Sequence, residues 1–293
     1  MQFPSAPAWA LLAGAALWGV VWYPYRLLAA AGVDGIWASL LTYGLALVVG
    51  VAIFPRHALA LRRAPALALL MGAAIGWSNL AYVLGVLQGE VMRVLFLFYL
   101  APLWTVPLAH FMLRERLEGA GVRVMALAFL GAMTMLWHPD LGFPWPASPA
   151  EWLGLAAGFL FALGNVLVRR LQGMSDAEKS IVIWAGVSFA ALVHVAGSAT
   201  PPAAAWDAAV GSAPLVVGVG LALVGMSLAL QYGLSRLPAN RAIVILLSEL
   251  VIAAFASYHL AGERLRLQDW IGGAIIIAAS LASGAIRDRQ PPD

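Results

Sequence analysis

The sequence predicts an all-α integral membrane protein of ten transmembrane helices, arranged as two inverted five-helix repeats around a central cavity. Three observations predict it. Apolar residues make up 62% of the 293 and charged residues 11%, less than half of the roughly 25% charged share of a soluble domain. Apolar runs of about 20 residues, the length that crosses a hydrocarbon core, recur along the whole chain. Short motifs also recur at one fixed offset between its halves.

Cutting the chain at charges, prolines and polar clusters gives spans at about 8–31, 35–54, 66–88, 91–113, 119–138, 151–171, 179–198, 213–235, 240–260 and 268–286. Most connections are short, as in a compact bundle. The two longest, Pro139 to Ala150 and Ala199 to Ser212, are rich in Pro, Ala and Trp. The first run lacks a basic segment ahead of it and a small-residue cleavage site, so it reads as a retained helix rather than a signal peptide.

Orientation follows from the basic residues. With the N-terminus in the cytoplasm, only Arg26, Arg93, Arg264 and Arg266 of the 17 Lys and Arg residues fall outside. The others, including the single lysine, Lys179, fall on inner connections or helix ends. That asymmetry is the positive-inside rule, and it puts both termini in the cytoplasm of a bacterial inner membrane. Trp37, Trp137, Trp145, Trp152, Trp206 and Trp270 then lie near the outer interface, which suits their amphipathic rings. A net charge of +3 spread over short clusters fits membrane loops and gives no nucleic-acid-binding face.

The halves echo one another. Glu115-Arg116-Leu117 ends the fourth span and Glu263-Arg264-Leu265 the ninth. The same offset relates Arg93 to Arg241, Gly85 to Gly233 and Ala126 to Ala274. Leu17-Trp18-Gly19 in the first span is answered by Ala162-Leu163-Gly164 in the sixth. Repeats 1–145 and 146–293 follow. Five helices per repeat is odd, so the second copy enters from the opposite side. Inverted repeats serve alternating access around a midplane site, which makes transport the leading expectation.

The motifs also resemble a known group. Leu17-Trp18-Gly19-Val20-Val21-Trp22-Tyr23-Pro24-Tyr25-Arg26, Tyr99-Leu100-Ala101-Pro102-Leu103 with Glu115-Arg116-Leu117, and Leu247-Ser248-Glu249-Leu250 with Gly262-Glu263-Arg264-Leu265 resemble the tandem EamA domains of the drug/metabolite transporter superfamily. The aromatic-rich first, third and fourth spans look closest to its YddG-type amino-acid exporters. The resemblance implies a ten-helix basket that exports amino acids, aromatic ones included. One departure is that Leu250 stands where the fourth span has Pro102, so matched proline kinks are not expected.

Polar groups at bilayer depth are costly unless paired or wet, so their clustering marks a cavity, and aromatic walls with a few amides and hydroxyls suit a small amphipathic solute. The candidate lining is Trp18, Trp22, Ser78, Asn79, Tyr82, Tyr99, Asn165, Met226, Ser227, Gln231 and Ser248. Interhelical hydrogen bonding is the competing role for the amides and hydroxyls. Glu249, an acid near a bilayer centre, reads as a structural hydrogen-bonding group, a coupling site or a substrate contact. Pro24, Pro102 and Pro107 are candidate kinks or hinges. Gly14, Gly19, Gly72 and Gly76 permit close helix packing.

The absence of cysteine removes disulfides, thiolate metal sites and cysteine nucleophiles. His110, His194 and His259 show no metal-ligand spacing, and no P-loop, H-E-x-x-H or G-x-S-x-G pattern occurs. The expectation is therefore no enzyme, no cofactor and no metal. The expected partners are a small-molecule substrate and the lipid bilayer, with no nucleic acid and no obligate protein partner. Multidrug efflux, with Glu249 as counter-charge, sugar-phosphate or nucleotide-sugar transport, and a channel all remain open. The phosphate reading calls for intramembrane Lys or Arg, whereas Lys179 is expected in a cytoplasmic loop.

Overall fold

The computed structural model describes residues 5–89, 91–137, 145–195, 198, 200–262 and 265–285. Glu263 and Arg264 of the second Glu-Arg-Leu motif, and Arg287 and Arg289, lie outside them. Among the described residues every regular element is a helix and no strand occurs. The α-helices run α1 Ala6–Ala30, α2 Gly35–Ile53, α3 Pro55–Ala60, α4 Ala66–Gln88, α5 Val91–Phe98, α6 Ala101–Leu113, α7 Gly119–Leu136, α8 Pro149–Arg170, α9 Asp176–His194, α10 Pro202–Gly211, α11 Ala213–Arg236, α12 Ala239–Leu246, α13 Ser248–Ala256 and α14 Leu267–Ala282.

By length and composition, nine segments among the described residues are able to cross a membrane. Two of them are composite: Arg93–Leu113 joins α5 and α6, and Ala239–Leu260 joins α12 and α13 and runs into a π-helical turn, Ser257–Ala261. The expected tenth is the shorter apolar helix α14, of 16 residues.

Helix ends need partners for their free N–H groups, and local sequence supplies several. Asp34 caps α2 by accepting from the N–H groups of Ile36 and Trp37 at 3.0 and 3.1 Å. Ser175 and Glu178 form a capping box at the start of α9. That box starts α9 at Asp176, three residues before the expected 179, and draws Lys179 into the helix. The connection expected from Ala199 to Ser212 contains α10, whose first residue, Pro202, is pre-set for a helical start.

The fourth and ninth spans are both broken. α5 gives way to α6 across Tyr99 and Leu100, and Pro102 sits in the first turn of α6, where its missing N–H costs nothing. α12 gives way to α13 at Leu247, although no proline is present there. The Ser248 hydroxyl donates to the Ile245 carbonyl at 2.7 Å. Such back-bonding competes with the main-chain ladder and bends helices. A break at the matched position therefore exists without a second proline, with the Ser248 hydroxyl bonded across it. Pro24 and Pro107 lie inside continuous helices, α1 and α6, and neither marks a break.

The most extensive helix contacts cross between the first 145 residues and the rest. α1 packs on α11, α12 and α13, while α8 packs on α4, α5 and α6. α2 lies against α9 and α11, α4 against α9, and α7 against α14. The first helix of each half thus nests in the third and fourth spans of the other. The α4–α9 seam is backbone on backbone: a Cβ on Gly186 would stand 2.1 Å from the Gly72 carbonyl oxygen. Close small-residue packing of this kind holds membrane helices where lipid removes the hydrophobic drive.

Candidate functional site

A cavity of about 120 Å³ lies between the halves, enough for several waters or one small solute. Its walls follow helical stripes. Ile75, Ser78, Asn79 and Tyr82 line it from α4, and Met226, Ser227, Leu230, Gln231 and Leu234 from α11; both sets repeat every three or four residues, as one helix face must. Trp18 enters from α1, Asn165 from α8, Tyr99 from the break after α5, and Glu249 from the first turn of α13. Trp22 and Ser248 are not among the lining residues. Trp22 packs edge-on against Tyr23, and the Ser248 hydroxyl is turned back onto the last turn of α12.

Three lining aromatics escaped the sequence reading: Tyr43, Phe98 and Phe161. Phe161 lies one turn from Asn165, and Tyr43 one turn from Ser39, whose hydroxyl donates to Asn79 Oδ1 at 3.4 Å. An i, i+4 search around Asn165 finds Phe161; Tyr43 escapes it, because Ser39 is not among the candidates. Phe98 has no polar candidate one turn away; it reaches the cavity beside Tyr99, at the break.

The two broken spans meet at the cavity. The Tyr99 hydroxyl donates to Glu249 Oε1 at 2.9 Å, joining the break in one half to the break in the other. α1 closes on this point, since a Cβ on Gly19 would stand 2.8 Å from the Glu249 carbonyl oxygen. Tyr82, Phe98, Tyr99 and Phe161 form a continuous aromatic wall, with neighbouring ring centroids 5.1 to 5.4 Å apart. Other polar groups serve the scaffold. Ser78 donates to the Ala157 carbonyl at 2.8 Å, and the fully buried Trp184 donates to Ser227 Oγ at 2.9 Å. The Asn165 amide nitrogen and the Gln231 amide oxygen are buried without a hydrogen-bond partner.

One turn beyond Asn165 and Leu234 a polar clasp crosses the bundle. Glu115, 5% exposed, accepts the Ala239 N–H at the start of α12 with both oxygens, at 2.8 and 3.1 Å. Arg169 approaches the same carboxylate at 3.6 Å and donates to the Ser235 carbonyl at 2.8 Å. Lys179, expected in a loop, is 1% exposed and donates to Ser235 Oγ at 2.7 Å. Arg236 pairs with Asp176 at 2.8 Å. The ends of α6, α8 and α11 and the starts of α9 and α12 are thereby tied together.

At the other end of the helices Arg93 pairs with Glu151 at 2.9 Å. Asp34 also accepts from Ser198, and Trp37 Nε1 donates to the Thr200 carbonyl at 3.1 Å. Among the described residues no cluster of His, Asp and Glu has the makings of a metal site. His194 bonds its own helix at 3.0 Å, and His110 and His259 are exposed.

The EamA-like transporter family model matches residues 148–284. The chain is similar to an "Uncharacterized transporter" of Archaeoglobus fulgidus, 27% identical over 203 residues that cover 69% of this chain and 70% of that one. A solved crystal structure of a protein superposes with a TM-score of 0.74 over 96% of this chain and 98% of its own, at 18% identity; that likeness concerns the fold alone. With its long apolar helices, the chain is a multi-pass membrane protein related to transporters.

Proposed function

We propose that the protein is a secondary transporter that exports small metabolites, amino acids foremost and aromatic ones among them, by alternating access. The observation that carries this reading is the cavity, small and aromatic, with walls drawn from both halves and a clasp one turn from one end. An interlocked pair of halves is able to exchange which end is tied, and so expose one site to each side in turn. The substrate-binding roles we assign to Trp18, Asn79, Tyr82, Tyr99, Asn165, Met226, Gln231 and Glu249 belong to this reading. So do the inverted arrangement of residues 1–145 and 146–293, and cytoplasmic termini in a bacterial inner membrane.

The phosphate-bearing alternatives lose support. Among the described residues that line the cavity there is no Lys, Arg or His, Arg93 is held by Glu151, and Lys179 by Ser235. The test is counterflow in proteoliposomes loaded with amino acids. Saturable, trans-stimulated uptake is expected of a carrier. A conductance without saturation would instead make the protein a channel, and flux restricted to phosphorylated solutes would remove the amino-acid reading.

A further inference from the structure

A second, larger hollow lies away from the central cavity. α6 packs on α8 and α12, and α7 on α14, but α6 and α7 hardly touch each other. Between them runs an open groove of about 600 Å³, within the roughly 300–1,000 Å³ of small-molecule sites. Pro102, Val106 and His110 line it from α6, and Val122, Ala126 and Phe129 from α7. Both stripes step by three or four residues, so each is one helix face. Apart from His110 the lining is apolar until the turn Glu115-Arg116-Leu117, which closes one end.

The dimensions fit one acyl chain. From Pro102 to His110 the groove extends about 12 Å at about 1.5 Å per residue, close to the roughly 15 Å of hydrocarbon in one leaflet. A helix of a second copy does not fit inside it, because a cylinder about 10 Å across fills about 900 Å³ over that length. The charge at its mouth fits an anionic headgroup. Arg116 lines the mouth, Arg114 precedes it in the turn, and Arg123 follows the groove residue Val122 on α7. All three are exposed, and among the described residues none has an ion-pair partner. Glu115 is taken up by the Ala239 N–H and Arg169, which leaves Glu118 as one negative charge against three positive ones. Arg114 is the one described non-glycine residue with a positive φ, 59°. That left-handed end to α6 lets Glu115 turn inward to the clasp while Arg116 stays exposed at the groove. Basic pockets between membrane helices bind anionic lipid headgroups, and a guanidinium is able to grip a phosphate with two N–H groups at once. Topology alone asks for arginines on this face, but not for an apolar groove that opens beneath one.

We propose that the groove between α6 and α7 is a binding site for an anionic phospholipid, with one acyl chain along Val106 and Ala126 and the headgroup phosphate on Arg116, flanked by Arg114 and Arg123. The site is independent of what the central cavity carries, so it stands or falls apart from the transport reading.

The experiment is native mass spectrometry of the full chain, released from detergent micelles that hold equal amounts of phosphatidylglycerol and phosphatidylcholine with the same acyl chains. One phosphatidylglycerol per chain is expected to be retained, at least about tenfold over phosphatidylcholine. Arg116→Gln should remove that preference, and Ala126→Phe, which fills the groove without changing its charge, should remove retention of the lipid. Arg56→Gln takes one exposed arginine from α3, outside the groove, and should change neither. Should Ala126→Phe fail to fold, the two variants of exposed arginines decide alone. Equal retention of the two lipids, a preference that Arg56→Gln lowers as much as Arg116→Gln, or retention undiminished in a folded Ala126→Phe protein would each overturn the proposal. So would a protein dimer that Ala126→Phe abolishes, which would give the groove to a second copy.

Discussion

Replacing Glu115 by Gln tests whether the clasp is what closes one end of the cavity. Gln keeps the size of the side chain and one acceptor oxygen but removes the charge. Glu115 is buried and accepts the Ala239 N–H through both oxygens, with Arg169 3.6 Å away. A hydrogen bond to a charged group contributes about 1.5–3 kcal/mol against about 0.5–1.5 for a neutral one. A carboxylate at a helix N-terminus adds about 0.3–1 kcal/mol. Arg169 keeps its bond to the Ser235 carbonyl, so its own charge is not stranded. The change should cost the closed form about 2 kcal/mol, which is about thirtyfold in its equilibrium with an open form. Since the chain has no cysteine, a single reporter, Leu234→Cys, can be introduced into an otherwise unreactive protein. A membrane-impermeant maleimide applied to the face that carries Glu115 should then label the cavity about thirtyfold faster in the Glu115→Gln background. Unchanged labelling together with a lowered melting temperature would show that Glu115 only stabilises the fold. Faster labelling from the opposite face would refute the placement of the clasp.

Three further outcomes follow from individual contacts. Ser248→Ala frees the Ile245 carbonyl from the serine hydroxyl and should let α12 run into α13, seen as slower hydrogen exchange at Leu247 to Val251; unchanged exchange would assign the break to packing instead. Gly186→Ala sets a methyl 2.1 Å from the Gly72 oxygen, an overpacking cost of about 1–3 kcal/mol that should lower the detergent melting temperature, whereas Gly173→Ala, with open space around it, should not. Partial burial pushes the Asp34 carboxyl up, but hydrogen bonds from Ser198, Trp37, Thr200 and Ile36 outweigh it and hold it below the usual carboxylate range. A folded-state value below the unfolded one means that the cap is at full strength above about pH 4 and is lost as pH falls through the lower value. Asp34→Ala should therefore cost about 0.5–2 kcal/mol at neutral pH and progressively less in acid; a pH-independent loss would refute the cap.

The amino-acid pattern carries the helices and much of the cavity, because both obey a period. Apolar runs near 20 residues give the spans. Polar residues three and four apart on α4 and α11 give the stripes that hold Ser78, Asn79, Tyr82, Ser227 and Gln231. What has no period was hidden. A serine that bends a helix looks the same in sequence as one that faces a solute, so Ser248 reads as a ligand. The clasp was hidden for a different reason: Glu115 binds a backbone N–H, which every residue but proline possesses, so nothing in the sequence marks Ala239 as its partner. Lys179 reads as a loop residue because charge and solvent normally go together; in the fold its ammonium group is buried against the Ser235 hydroxyl. Trp184 was silent among twelve tryptophans, although it is the one that holds Ser227.

The two helix breaks show how symmetry of shape is able to outlast symmetry of sequence. Tyr99 and Leu247 share the offset that relates Glu115 to Glu263, yet one break is followed by Pro102 and the other by Ser248. Both chemistries disturb the same i to i−4 ladder, one by lacking a donor and the other by occupying an acceptor. The consequence lies between the breaks. Tyr99 is at the first and Glu249 two residues past the second, so their 2.9 Å hydrogen bond spans the two points where the main chain is least constrained. A ligand that bonds Glu249 through Oε1 competes with the Tyr99 hydroxyl for that oxygen. On the reading proposed above, binding would thus loosen the link between the broken spans where they bend most easily, and an empty site would restore it. Tyr99→Phe, which removes that link and leaves the aromatic wall, separates the two effects: ligand affinity should be kept or raised because the competitor is gone, while the dependence of cavity accessibility on bound ligand should fall.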